Sequence, residues 1–460
     1  MRHRPAPSDA PPARGEISLT GGRSHGGMTG RLLLGLLMAL APGCLACGGD
    51  EDGETVIEFW GMGREGEVVA ELVPDFERLN PGIQVRVQQM PWIAAHEKLI
   101  TAFVGEATPD VAQLGNTWIP EFVALDAVLP LDERISRSPA IDPTDYFPGI
   151  WQTNVVNDSA YGVPWYVDTR VLFYRSDLLA RAGYEAVPET WEGWLEAMRA
   201  LKEIQGDDGY PLIMPINEWP PPVILGLQAG STLLADGDRY GAFAAPEFRR
   251  AFEFYIDIFR EGLAPPIRDT QVGNIHQRFG AGEYAMYISG PWYLGEFRRR
   301  LPEEVQDDWA TAPLPGPDGP GVSMAGGSSL VVFKATGRED AAWRFIEYLS
   351  SPEAQVRFYE LSGNLPARLE AWETPALAED RKAAAFREQL ERAVPLPRVP
   401  EWERIATRVY EHGEATVRGR LTVDQALEAL DRDVDRMLEK RRWLLRRTEG
   451  SRGKSSPFAR

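Results

Sequence analysis

The chain has 460 residues, 43% of them hydrophobic and 25% charged, an ordinary globular composition with length enough for two lobes. Its net charge of −19 speaks against a chain that coats nucleic acid, where basic patches dominate affinity. The two Cys, Cys44 and Cys47, leave nothing downstream to form a disulfide, and the three His beyond them, His96, His276 and His412, are too scattered to read as a zinc site.

Residues 1–27 are rich in Pro, Arg and Ser and show no apolar period, so a start at Met28 is expected. Arg31 then precedes LLLGLLMALAPG, an apolar run too short to span a bilayer and of the right length for a signal peptide. Small residues lead into each Cys, Pro42-Gly43 before Cys44 and Leu45-Ala46 before Cys47, and this resembles a bacterial lipobox. Cys44 is the expected lipidation site because Leu40-Ala41 lies nearer the apolar run; Cys47 is the alternative, and a cleaved soluble form is the lesser reading beside lipidation. Residues 28–47 are thus signal peptide and lipobox, and 48–54 a flexible polar tether.

Residues 55–60 are β-branched and aromatic, a strand. Val68, Val69, Leu72, Val73, Phe76 and Leu79 give 67–79 a helical period, which Asn80-Pro81-Gly82 stops. Residues 83–88 alternate as a second strand, 94–105 form a helix and 110–114 a third strand. This β-α-β-α-β order predicts a mostly parallel sheet with helices on both faces, which takes ligands at the carboxyl ends of its strands. Arg64, Glu65 and the Asn116-Thr117-Trp118 run fall at such ends, with core packing as the alternative for Trp118.

Gly61-Met62-Gly63-Arg64-Glu65-Gly66 spells G-x-G-x-x-G after a strand and before a helix. A dinucleotide site also needs an acid closing the next strand, and Val87-Gln88-Gln89-Met90 supplies none, so no cofactor is expected. The stretch 163–194 is the most informative. Trp165 and Tyr166 precede Asp168, a strand follows at 171–174, then helices at 176–182 and 190–204, the second capped by Thr190 after Pro188. Flat rings beside a carboxylate suit a sugar, whose C–H face packs on the ring while its hydroxyls donate to the acid; the plain alternative is a strand edge with core aromatics.

A strand-like piece at 214–216 runs into Asn217-Glu218-Trp219. Asp236 to Glu247 has calcium-loop spacing, but Tyr240 stands at the fifth position and Pro246 precedes the Glu, so it reads as a surface turn. A helix at 246–261, a strand at 284–288, a short crossing segment at 311–314 and a strand at 330–333 follow. Helices at 338–350 and 352–361 and a helical stretch over 401–441 complete the chain, which ends in a basic tail, 441–460. That tail reads as a frayed helix end, with contact to anionic lipid headgroups as the second reading.

Four ordered motifs carry a resemblance. Pro164, Asp168, Tyr174, Asp177-Leu178, Ala182-Gly183 and Pro188 to Trp191 form the first; Ala285-Met286-x-Ile288-Ser289-Gly290-Pro291-Trp292 the second; AWRFIEYLSSPE from Ala342 the third; and NLPAR from Asn364 the fourth. Over roughly 55–440 the chain resembles the solute-binding proteins of ABC sugar importers, the maltose-binding-like class. The resemblance implies an α/β two-lobe periplasmic-binding-protein fold of type II, with 55–165 plus 312–362 in one lobe and 166–311 plus 363–440 in the other. The chain would cross between the lobes near 164–170, 308–314 and 362–368.

The resemblance also implies a monomer outside the cytoplasmic membrane that binds a mono- or oligosaccharide between its lobes. It would hand the sugar unchanged to the transmembrane subunits of a permease, with no catalysis, no cofactor and no metal. By motif, Asp168 would accept sugar hydroxyls, and Trp292, its neighbour Tyr293 and Trp402 would stack on rings. Tyr166, Glu218, Trp219, Arg64, Glu65, Asn116, Thr117 and Trp118 join them by their place at strand ends. The alternative is an exported carbohydrate-active enzyme using a carboxylate pair.

Overall fold

Two separate sheets organise the chain. The computed structural model describes residues 54–452; the signal-peptide, lipobox and start-site expectations lie outside them. The first sheet has the strand order Leu365–Pro366, Val163–Asp168, Gly326–Val332, Val111–Gly115, Thr55–Met62, Ile83–Met90. Thr55–Met62 is parallel to both its neighbours, as the β-α-β-α-β reading expects. The other three strands add antiparallel. The sheet is therefore mixed rather than mostly parallel, because those strands enter and leave through the second lobe and not through crossover helices.

The second sheet runs Trp309–Ala312, Val171–Arg175, Tyr284–Ser289, Tyr210–Ile213. The strand expected at 214–216 sits earlier, at Tyr210–Ile213. Pro215 has no N–H for a ladder, so the chain leaves the sheet before it and turns at Asn217. The Asp236-Gly237-Asp238 run has positive φ throughout (52°, 64°, 61°) and makes the turn between the two-residue strands Leu234–Ala235 and Tyr240–Gly241. Among the described residues no group of His, Cys, Asp and Glu is arranged to hold a metal, and no helix is long and apolar enough to cross a membrane.

Strand pairing shows where each sheet ends within the expected crossing segments. Tyr166, Val167 and Asp168 pair with Ser328, Gly327 and Gly326, which keeps them in the first sheet, so the chain crosses at Thr169-Arg170. Ala312 still pairs with Leu172 in the second sheet, and Leu365 and Pro366 pair with Val167 and Tyr166 in the first. The motifs locate the crossings, but the hydrogen-bond ladder on either side decides where each sheet ends.

The ladder is irregular at the aromatic pair, since Ser328 pairs with Tyr166 and Ser329 with Pro164, leaving Trp165 between them. Trp165 is 1% exposed and packs against Phe59 and Phe358. Tyr166 is also buried and stacks on Phe358 at 5.9 Å, while bordering the cavity described below. Three hydrophobic clusters, built around Phe59, Trp402 and Phe122, fill the described residues, all of which from Gly53 onward belong to one compact unit.

Candidate functional site

The carboxyl ends of Thr55–Met62 and Val111–Gly115 open onto a cavity of about 490 Å3. Gly61 and Gly66 approach so closely that a Cβ on Gly61 would lie 2.7 Å from the Gly66 Cα. That close turn starts the Gly63–Leu79 helix at the cavity and sets Arg64 and Glu65 in its wall. Glu65 is buried, with Asn364 Nδ2 donating to Oε1 at 2.8 Å and Trp92 Nε1 to Oε2 at 3.3 Å. Burial pushes its carboxyl above the usual range, and these donors act in the opposite sense.

Beyond the third strand, Asn116 Nδ2 donates to the Ala325 carbonyl at 3.0 Å, and Thr117 Oγ1 to Glu403 Oε1 at 2.6 Å. Trp118 stands edge-on between Trp92, 5.7 Å away, and His96, 5.0 Å away. His96 in turn pairs with Glu121 at 2.7 Å, which raises its pKa. Trp118 is half-buried, lines the cavity and also packs against the hydrophobic cluster around Phe122.

The Tyr166 hydroxyl accepts from Gln113 Nε2 and from Ser328 Oγ, each at 3.0 Å. Asp168 closes the same strand and pairs with Arg170 Nη1 at 2.6 Å, and the Arg170 guanidinium lies over the Trp292 ring at 4.5 Å. Burial raises the Asp168 carboxyl and the Arg170 charge draws it back down. Across the ladder, a Cβ on Gly327 would sit 2.2 Å from the Tyr166 carbonyl oxygen, so only glycine permits this wall.

A second cavity, about 510 Å3, lies against the second sheet and shares Arg170, Trp219 and Trp292 with the first. Glu218, Tyr287, Ser289, Tyr293 and Asp269 line it. Burial raises the Glu218 carboxyl, with Arg170 lowering and Asp269 raising it further. Trp292 is 38% exposed, and its ring folds back over Gly290, where a Cβ would meet it at 2.1 Å. The glycine of the G-P-W motif is there to admit the tryptophan.

Of the residues expected from sequence, Arg64, Glu65, Asn116, Thr117, Trp118, Tyr166, Asp168, Glu218, Trp219, Trp292 and Tyr293 line one or both cavities. Trp402 does not. It is 1% exposed and stands edge-on to Trp219 at 5.8 Å, a core residue backing a wall residue. It opens the Trp402–Val417 helix with its ring turned into the lobe, and the next residue, Glu403, turns to the cavity in its place. Sequence reasoning missed Glu403, Trp92, Arg170 and Asn364 as wall residues. Two signals were present: Asn364 opens the NLPAR motif, and Arg170 stands two residues from Asp168 at the lobe crossing.

Residues 62–356 match the family described as bacterial extracellular solute-binding protein. The solved structure of the sugar-binding protein MalE from the phytopathogen Xanthomonas citri is 50% identical, covers 85% of this chain and 99% of its own, and superposes with a TM-score of 0.83. The diacetylchitobiose binding protein DasA of Streptomyces coelicolor is 26% identical over 392 residues, 80% of this chain and 88% of its own. The arabinooligosaccharide-binding protein of Halalkalibacterium halodurans is 24% identical over 351 residues, 74% of this chain and 77% of its own. With two α/β lobes and a cavity walled by both, the chain belongs to the bacterial extracellular solute-binding proteins.

Proposed function

We propose that the chain is the substrate-binding component of an ABC carbohydrate importer, taking an oligosaccharide between its lobes and delivering it unchanged to the permease. One observation carries this reading. Trp92, Trp118, Trp219 and Trp292 present apolar planes to a cavity that also holds the carboxylates Glu65, Asp168 and Glu403. Planes that pack on C–H faces, with acceptors for hydroxyls between them, are the chemistry of a pyranose site. The second cavity continues past Arg170, Trp219 and Trp292, which favours a ligand of more than one ring. The names of the MalE, DasA and arabinooligosaccharide-binding relatives point the same way.

Closure follows from the wall's composition. The ligand gains contacts from both lobes only when they meet, so it stabilises the closed form by those differential contacts. That form docks on the permease's transmembrane subunits. No group-transfer step is part of this function. A lipid on Cys44, or on Cys47, holds the protein at the outer face of the cytoplasmic membrane or in the periplasm.

The test is a tryptophan-fluorescence titration against a panel of gluco-, chito- and arabino-oligosaccharides. One class is expected to give a saturable change, and chromatography after prolonged incubation to return that sugar intact. Product forming in proportion to protein would make it an enzyme, and a flat response to every sugar would remove the carbohydrate reading. For the anchor, labelled palmitate is expected on the wild type and absent after Cys44→Ala; label lost only with Cys47→Ala moves the site, and label that neither change affects removes the anchor.

A further inference from the structure

The last described helix, Glu439–Arg452, has a face that the sugar site does not use. Lys440, Trp443, Leu444 and Arg447 recur at the i, i+3, i+4, i+7 spacing that puts them on one side. All four are exposed, Trp443 at 50% and Leu444 at 48%. The Arg447 guanidinium lies over the Trp443 ring at 4.5 Å, and Arg446 flanks them, also exposed.

The opposite side of the helix is occupied. Arg441 Nε donates to the Asp238 carbonyl at 3.2 Å and Arg442 Nη1 to the Arg239 carbonyl at 2.8 Å, while the Arg442 guanidinium covers the Tyr240 ring at 4.7 Å. These contacts clamp the helix to the 234–241 hairpin and fix which face looks outward.

Charge along the chain is strongly segregated. Residues 439–460 hold eight Lys or Arg against Glu439 and Glu449, a net of +6, so residues 1–438 carry −25 of the total of −19. A short cationic helix beside a folded body suits the headgroups of an anionic bilayer, held mainly by charge, with Trp443 and Leu444 as small apolar contacts among the cations. Screening over about 8 Å lets this local charge act apart from the acidic body.

We propose that the 439–452 helix is a membrane-contact surface whose partner is an anionic phospholipid bilayer. A second copy of the chain is the lesser occupant, because two bodies of this net charge repel. The proposal is independent of which ligand the cleft takes, and of the N-terminal lipid.

The experiment uses residues 48–460, which keep all three hydrophobic clusters and lack any lipidated Cys. Co-sedimentation is measured with vesicles of phosphatidylcholine alone and with about one-third phosphatidylglycerol. The wild type is expected to pellet with the anionic vesicles only, and to be released at about 0.5 M NaCl. Each neutralised cation is expected to weaken partition about fivefold, so the Lys440→Gln, Arg446→Gln, Arg447→Gln triple variant falls by about a hundredfold. Quenching of tryptophan by brominated acyl chains is expected to disappear in Trp443→Ala. These side chains are exposed, so an unchanged melting temperature verifies each fold. Wild type that stays in the supernatant with anionic vesicles, a triple variant that pellets equally, or a salt-sensitive dimer without vesicles overturns the proposal.

Discussion

Thr117 Oγ1 donates to Glu403 Oε1 across 2.6 Å, joining the loop after a first-sheet strand to the first turn of the Trp402–Val417 helix. Both residues line the cavity, and that helix packs with the Pro220–Gln228 and Pro246–Arg260 helices of the second lobe. The bond therefore crosses between lobes at the ligand's edge. Burial raises the Glu403 carboxyl, while Thr117 and the charge of His96 lower it.

A bond made only when the lobes meet favours the closed form. A hydrogen bond to a charged acceptor is worth about 1.5–3 kcal/mol. Thr117→Val is expected to weaken ligand binding by about tenfold, and Thr117→Ser to restore it, because the hydroxyl returns. Calorimetric titration measures both. Equal affinity for wild type and Thr117→Val would mean the contact does not contribute to closure.

Asp168 holds Arg170, and Arg170 rests on Trp292, so under the proposed function the acid has two tasks: acceptor for the ligand and anchor for the cation beside it. Asp168→Ala is expected to cost ten- to a hundredfold in affinity. Asp168→Asn keeps an acceptor and is expected to lose less. An Asp168→Ala variant that binds as the wild type would remove the cleft assignment built on residues 163–194.

Most of this was legible in the sequence because it rests on short-range pattern. The N-terminal strands and helices follow from apolar period, and the crossings from four motifs. What was not legible shares one cause. Whether a strand runs parallel or antiparallel, and where its ladder ends, depends on partners far along the chain. Gly326 against Asp168 and Leu365 against Val167 decide the lobe boundaries, and no local period carries that information. The site shows the same division. Asp168 and Trp292 lie in motifs, so their place at the cavity wall is legible, whereas Trp92 and Glu403 reach it only because the fold brings two helix starts there.

Glu218 gives a pH signature. Its carboxyl is raised above the ordinary 4.5, first by burial and then by Asp269, with Arg170 opposing. Tyr287 and Tyr293, the other titratable groups facing it across the cavity, stay protonated, since burial raises both. The folded state thus holds this proton more tightly than the unfolded chain. The stability it contributes is full below about 4.5 and is lost as pH rises through the raised folded value. Glu218→Gln is expected to melt about 1–2 °C higher than the ligand-free wild type at neutral pH, with the gain vanishing below pH 4.5. Melting curves across pH measure this, and a gain that persists or grows at acid pH has the wrong sign for the argument.

Trp292 and Trp402 separate a site tryptophan from a core one. Trp292 is 38% exposed, stacked under Arg170 and bordering both cavities; Trp402 is 1% exposed behind Trp219. Removing the Trp292 ring uncovers little core, so Trp292→Ala is expected to leave the ligand-free melting temperature within about a degree while lowering sugar affinity roughly tenfold or more. Trp402→Ala opens a buried void worth about 3–5 kcal/mol, and its first effect is on melting. Its effect on affinity comes through Trp219, which loses its backing. Trp402→Phe refills most of that void, so it is expected to recover stability and, with it, most of the affinity. A Trp402→Phe variant that regained stability but stayed as weak in binding as Trp292→Ala would return Trp402 to the ligand surface.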